Sequence, residues 1–133
     1  MKTLIPVKTE RVERYNGVKL IFDTLYHEIK ELGKKKPETT LSKAKVAQIN
    51  RVLEDAQFVI ADEPEKKYCD LLEADLTPQF SDALIIMAQF EGALKAFRSR
   101  HYGKASPLQD EPDWVLVEDN AHAKRRGKRQ ETE

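Results

Sequence analysis

Apolar residues recur at alternating intervals of three and four along three long stretches of this 133-residue chain. This spacing places side chains in one stripe of an α-helix, whereas a half-buried strand alternates every second residue. The stripes predict helices over about 10–32, from Thr40 or Ser42 to Ile60, and from Thr77 to about Tyr102. Their apolar positions are Tyr15, Val18, Phe22, Leu25, Ile29 and Leu32; Val46, Ile49, Leu53, Ala56 and Ile60; and Phe80, Ala83, Met87, Phe90, Leu94 and Phe97.

Boundary signals predict one more, shorter helix between the second and third stripes. Residues 62–65 (Asp-Glu-Pro-Glu) resemble a capped first turn, because proline is tolerated there and an acidic residue follows it. We expect this helix to end near Asp75, which makes the last helix the fourth. Gly33 and Gly103 are expected to end the first and the fourth helix. The apolar set of the short helix is Tyr68, Leu71, Leu72 and Leu76.

Length and composition favour one domain with a highly charged surface. The chain is 40% hydrophobic and 35% charged, and a chain of this size holds one core. We predict an all-α, antiparallel helical bundle of about four helices over residues 1–103. Residues 1–8 form either an extended arm over the core or a frayed end. Residues 104–133 are expected to be an irregular tail, partly docked near Trp114 and disordered at its basic end.

Several classes of protein are disfavoured by charge and residue usage. Lys plus Arg and Asp plus Glu both number 23, so no global field attracts nucleic acid or anionic membranes. Cys69 is the single cysteine, and the N-terminus does not resemble a secretory signal. The longest apolar run, 83–88, is far shorter than a membrane span. We therefore expect a cytoplasmic protein with no membrane association.

Candidate metal ligands and catalytic groups lie on predicted outer faces. Asp23, His27 and Glu31 follow one another at intervals of four, but the apolar stripe of the first helix would turn them towards water. Nucleophile and glycine-rich phosphate-binding motifs are missing from the sequence. We predict no catalytic residue, metal or cofactor. A carboxylate-based enzyme or a metal-binding bundle stays open as the second alternative, and it requires these carboxylates or His27 to face inward.

The fourth predicted helix carries the leading functional hypothesis. Ala88, Gly92 and Ala96 form a row of small residues, which lets another helix approach closely, and Ile85 extends its apolar surface. A glycine inside a helix costs about 1 kcal/mol relative to alanine, which favours a packing role for this row. We predict an interaction or regulatory module that forms a homodimer or binds a protein partner here. A helix of the same bundle filling this row is the equal alternative.

Basic residues support a second hypothesis, a nucleic-acid-binding accessory protein. The first predicted loop and the end of the fourth helix form an anion site if the fold brings them together, although helix-end charge also explains the latter. A basic run in the tail is able to neutralise phosphates weakly, unless it is simply solvated. The loop contributes Lys34, Lys35 and Lys36, the helix Arg98 and Arg100, and the tail Lys124, Arg125, Arg126, Lys128 and Arg129.

Charge is also segregated along the chain. Residues 54–82 hold nine acidic residues against Lys66 and Lys67, a net charge of −7, whereas residues 34–45 have a net charge of +4. Opposite patches of this kind favour self-complementary association.

Overall fold

Three α-helices carry the fold in a computed structural model that describes residues 3–117. They are α1 (Thr9–Lys35), α2 (Lys43–Val59) and α3 (Phe80–His101). After α3, the short strands β1 (Tyr102–Gly103) and β2 (Asp113–Trp114) pair in antiparallel fashion. The all-α class is confirmed for this part of the chain. The predicted number of four helices is not, since three are formed there.

The helix α1 runs antiparallel to both α2 and α3. Its N-terminal half meets the end of α2, where Arg14 donates to Asp55 over 2.8 Å. Its last turns meet the start of α3 at Leu84. The starts of α2 and α3 lie side by side, because the backbone N–H of Leu41 donates to the carbonyl oxygen of Pro78 over 2.8 Å. The helices α2 and α3 are therefore parallel to each other.

The predicted stripes form the core, with one correction at the end of α1. Gly33 was expected to end this helix, but it lies inside the helix and is buried. A Cβ atom there would lie 3.2 Å from Cδ1 of Leu84, so the missing side chain lets α1 and α3 approach. Leu32, predicted to be in the core, is 45% exposed because Gly33 takes the inner position. Fully buried large side chains include Phe22, Ile29, Ile49, Leu53, Met87, Phe90, Leu94 and Phe97.

The predicted helix between α2 and α3 is wrong. Residues 60–79, which we call the connector, contain two short 3₁₀ turns, Pro64–Tyr68 and Ala74–Leu76. Side chains of α2 bind its backbone instead: the side-chain amide of Asn50 donates to the carbonyl oxygen of Leu72 over 2.8 Å and accepts from its N–H over 2.9 Å. Gln57 donates to the carbonyl oxygen of Cys69 over 2.9 Å. These bonds replace the internal bonds of a helix.

The connector nevertheless runs where the missing helix was expected. Gln57 binds Cys69, and the earlier residue Asn50 binds the later Leu72, so the connector is antiparallel to α2. It returns the chain from the end of α2 to the start of α3. There, the side chain of Asp82 accepts from the backbone N–H of Gln79 over 2.8 Å and caps α3. An irregular segment thus takes the place of the predicted helix in the path of the chain.

The N-terminal residues form an extended arm over the core. The N–H of Ile5 donates to the carbonyl oxygen of Arg100 over 2.9 Å, and Val7 is buried. Val7 also exchanges backbone hydrogen bonds with Val115 and Val117, over 2.8 and 2.9 Å. The frayed alternative is therefore wrong for residues 3–8.

The ring of Trp114 lies 5.2 Å from those of Tyr15 and Tyr102, centroid to centroid.

Candidate functional site

The predicted interaction residues lie on the side of α3 that faces away from the core. Ile85 is 64% exposed, Ala88 and Gly92 are exposed, and Ala96 is half-buried. A Cβ atom added at Gly92 would meet no other atom within 4 Å among the described residues. The other half of the prediction, a helix of the same bundle filling this row, is therefore not seen in residues 3–117.

This surface contains no charged side chain over most of the length of α3. At 100° per residue, one uncharged band extends from Ser81 to Ser99, about 27 Å along the helix axis. The ion pair from Lys95 to Glu91 over 3.0 Å borders one edge of the band, and Asp82 and Arg100 border the other. An uncharged band of this length contrasts with a chain in which 35% of residues are charged. We call it the outer face of α3: Ser81, Ile85, Ala88, Gln89, Gly92, Ala96 and Ser99.

A groove of about 420 Å³ lies between the connector and the first half of α3. Its walls are largely apolar, and two carboxylates, of Glu73 and Asp82, lie among its lining residues. Leu76, at its edge, is 73% exposed. The apolar residues of the groove are Leu71, Leu72, Leu76, Pro78 and Ile86.

A partly buried charged cluster joins the end of α3 to the connector. Arg100 donates to Glu63 over 2.6 Å and binds both carboxylate oxygens of Glu65 over 3.1 and 2.9 Å. The hydrogen bond to Glu65 raises the pKa of Arg100, and the same bond lowers the pKa of Glu65. Nε2 of His101, a residue that is 2% exposed, faces Glu63 at 2.9 Å. Every charge in this cluster is held by an opposite one.

His101 also fixes the N-terminal arm. Its Nδ1 faces the carbonyl oxygen of Ile5 at 2.6 Å, and its ring packs edge-on against Phe97. Both neighbours of the ring nitrogens are acceptors, so the ring donates to both when it carries two protons. The sequence analysis missed this role of His101. The available signal was its spacing of four from Phe97, which continues the apolar stripe.

The row of possible metal ligands on α1 is exposed, as predicted. Asp23 accepts from Lys19 over 2.5 Å, and Glu31 accepts from Lys34 over 2.8 Å. The hydrogen bond from Lys34 lowers the pKa of Glu31. His27 lies between them on the same exposed side. Across residues 3–117, no group of three histidine, cysteine or acidic residues is arranged to hold a metal ion.

The structure does not bring the predicted basic residues together. Lys34, Lys35 and Lys36 lie where α1 meets the start of α3, near Leu84. Arg100 is sixteen residues further along α3, about 24 Å at 1.5 Å per residue. The prediction that these residues share an anion site is therefore wrong. In addition, Arg100 is already bound by two carboxylates.

Two parts of the predicted basic set remain, Arg98 and the basic run of the tail. Arg98 lies over the ring of Tyr102, 4.2 Å from its centroid. The basic run Lys124, Arg125, Arg126, Lys128 and Arg129 lies outside the described residues.

Cys69 is buried between the connector and α3. Burial raises the pKa of its thiol to about 11, so the unreactive neutral form prevails at neutral pH. Its Sγ donates weakly to the carbonyl oxygens of Glu65 and Gln89, over 3.5 and 3.7 Å. The residue therefore packs as a small apolar side chain.

No family model, curated protein or solved structure matches this chain. Among the helices of residues 3–117, none has the length and apolar character needed to cross a membrane.

Proposed function

We propose that this chain is a small protein interaction module that self-associates through the outer face of α3. The observation that carries the proposal is the largely exposed, uncharged band with Gly92 at its centre, where an added Cβ would meet no described atom within 4 Å apart from its chain neighbours and its own helix backbone. In a chain this rich in charge, such a band is suited to contact another apolar surface rather than water.

The arrangement of small and large residues suits a second copy of the same helix. If two copies cross at Gly92 in antiparallel orientation, Ala88 of one faces Ala96 of the other. Ile85 then lies against the small side chain of Ser99. Small residues at the crossing allow helix axes to come within about 8 Å, at which distance side chains interdigitate. The packing gained offsets the cost of about 1 kcal/mol that glycine imposes on a helix.

The test compares two glycines that differ only in their helix. Gly17 in α1 is exposed like Gly92, and a Cβ there also meets nothing within 4 Å. Gly92→Arg places a charge and a long side chain in the proposed contact. Gly17→Arg adds the same side chain to α1, outside that contact. We expect sedimentation equilibrium to show dimers for the wild type and for Gly17→Arg, and monomers for Gly92→Arg. A monomeric wild type at high protein concentration, or a dimeric Gly92→Arg, would contradict the proposal.

A further inference from the structure

We infer that the groove between the connector and α3 is a second docking surface, which binds a cationic amphipathic segment of another protein. The inference does not depend on self-association, because the groove lies beside the outer face of α3 and is built from different residues.

The first argument is the apolar wall. Leu76 is 73% exposed, although burying a large apolar side chain is favourable. Leu71 and Ile86 line the same groove and are half-buried. A volume of about 420 Å³ accommodates one or two large apolar side chains. The groove thus offers a partner an apolar anchor point.

The second argument is the charge around this wall. In the first part of the connector, Asp62 pairs with Arg11, and Glu63 and Glu65 pair with Arg100. The later acidic residues have no ion pair within the described residues, and their carboxylates lie exposed: Asp70, Glu73 and Asp75. Asp82 adds a fourth carboxylate beside the groove. Glu73 and Asp82 line the groove, and Asp70 and Asp75 are exposed next to lining residues of the connector. This negative charge attracts Lys or Arg side chains that flank an apolar anchor.

The third argument is that the groove is formed in advance. Asn50 holds both backbone groups of Leu72, and Gln57 holds the carbonyl oxygen of Cys69, so α2 fixes the wall from behind. A partner segment does not have to order this wall when it binds, which reduces the entropic cost of association.

The same features exclude other occupants. Nucleic acid would be repelled by the carboxylates in and next to the groove. The outer face of a second α3 is uncharged and leaves those carboxylates without partners. The basic residues of 118–133 match the charge, but that stretch contains no large apolar residue to fill the groove. A cationic segment with large apolar residues on one face satisfies both the wall and the charges.

Binding is tested with the full chain and a labelled helical peptide of leucine and lysine, with leucines on one face. Fluorescence anisotropy is expected to show binding that weakens as salt is raised. Leu76→Ser should weaken it about tenfold by removing the anchor contact. Leu108→Ser is the matched control, since Leu108 is 92% exposed and far from the groove in sequence. Glu73→Gln should weaken binding about threefold, and Glu54→Gln, on exposed α2 surface, should not.

Three results would overturn the inference. One is equal weakening by Leu76→Ser and Leu108→Ser, and another is equal binding of a leucine and glutamate peptide. The third is a peptide of residues 118–133 that binds as tightly as the leucine and lysine peptide, since charge alone would then suffice. Gly92→Arg should leave peptide binding unchanged, which separates this surface from the self-association proposed above.

Discussion

The helix α1 and the connector run in the same direction past α2 and both bury apolar residues in the core, but their backbones are satisfied in different ways. The backbone of α1 is satisfied internally, and its apolar stripe packs against α2 and α3. The connector is held by side-chain amides of α2 that bind its backbone groups directly. The comparison teaches that the direction of the chain is set by packing, whereas regular structure is set by where the backbone finds its hydrogen bonds.

The largest effect is expected from a truncation in the stripe of α1. Phe22 is fully buried, so Phe22→Ala should lower the free energy of unfolding by about 3–5 kcal/mol through lost burial and a residual cavity. Urea denaturation measures the change. Leu20→Ala on the exposed side of α1 serves as the control and should cost less than about 0.5 kcal/mol. A small decrease in the free energy of unfolding for Phe22→Ala would contradict the conclusion that apolar packing holds α1 in place.

A smaller and more local effect is expected at the attachment of the connector. Asn50→Ala removes both hydrogen bonds to Leu72 and should cost about 2–3 kcal/mol, because two backbone groups lose their partner. Amide exchange should quicken in the connector and stay unchanged at the centre of α1. Asn50→Asp keeps the acceptor for the N–H of Leu72 but loses the donor, so an intermediate loss is expected. Equal exchange in wild type and Asn50→Ala would show that these amides do not hold the connector.

The smallest effect is expected from the ion pair at the start of the connector. The hydrogen bond from Arg100 lowers the pKa of Glu65 below its ordinary 4.5, so this pair stabilises the fold above that pH. Its contribution is lost as the pH falls through the lowered pKa of the folded state. Glu65→Gln should therefore cost about 0.5 kcal/mol at neutral pH, and the difference from wild type should vanish in acid. Urea titrations at several pH values measure this, and a difference that grows towards low pH would contradict it.

The stripes predicted from the sequence form α1, α2 and α3, because burying their apolar residues on one side favours the helix. Phe22, Leu53 and Phe90 are buried at the positions that the helical period gives them. The connector was misread because its apolar residues, Leu71 and Leu72, also fit a short helix. What decides against the helix is Asn50, more than twenty residues away, and local spacing contains no trace of that contact.

The candidate sites divide in the same way. The outer face of α3 follows from the helical period, since Gly92 must lie opposite Met87 and Leu94. The groove and the charged cluster depend on contacts between distant segments, such as Glu63 with Arg100. Such pairs become visible only when the connector's path is known.

The most direct test of self-association through α3 is a cross-link at its centre. In a Cys69→Ala background, Gly92→Cys places one thiol at the proposed crossing, where two Cα atoms should lie within the roughly 7 Å that a disulfide requires. Under mild oxidation, this variant should form a disulfide-linked dimer, while Gly17→Cys should form no covalent dimer although it still self-associates through α3. A Gly92→Cys variant that does not cross-link, or equal cross-linking of the two variants, would contradict the proposed contact.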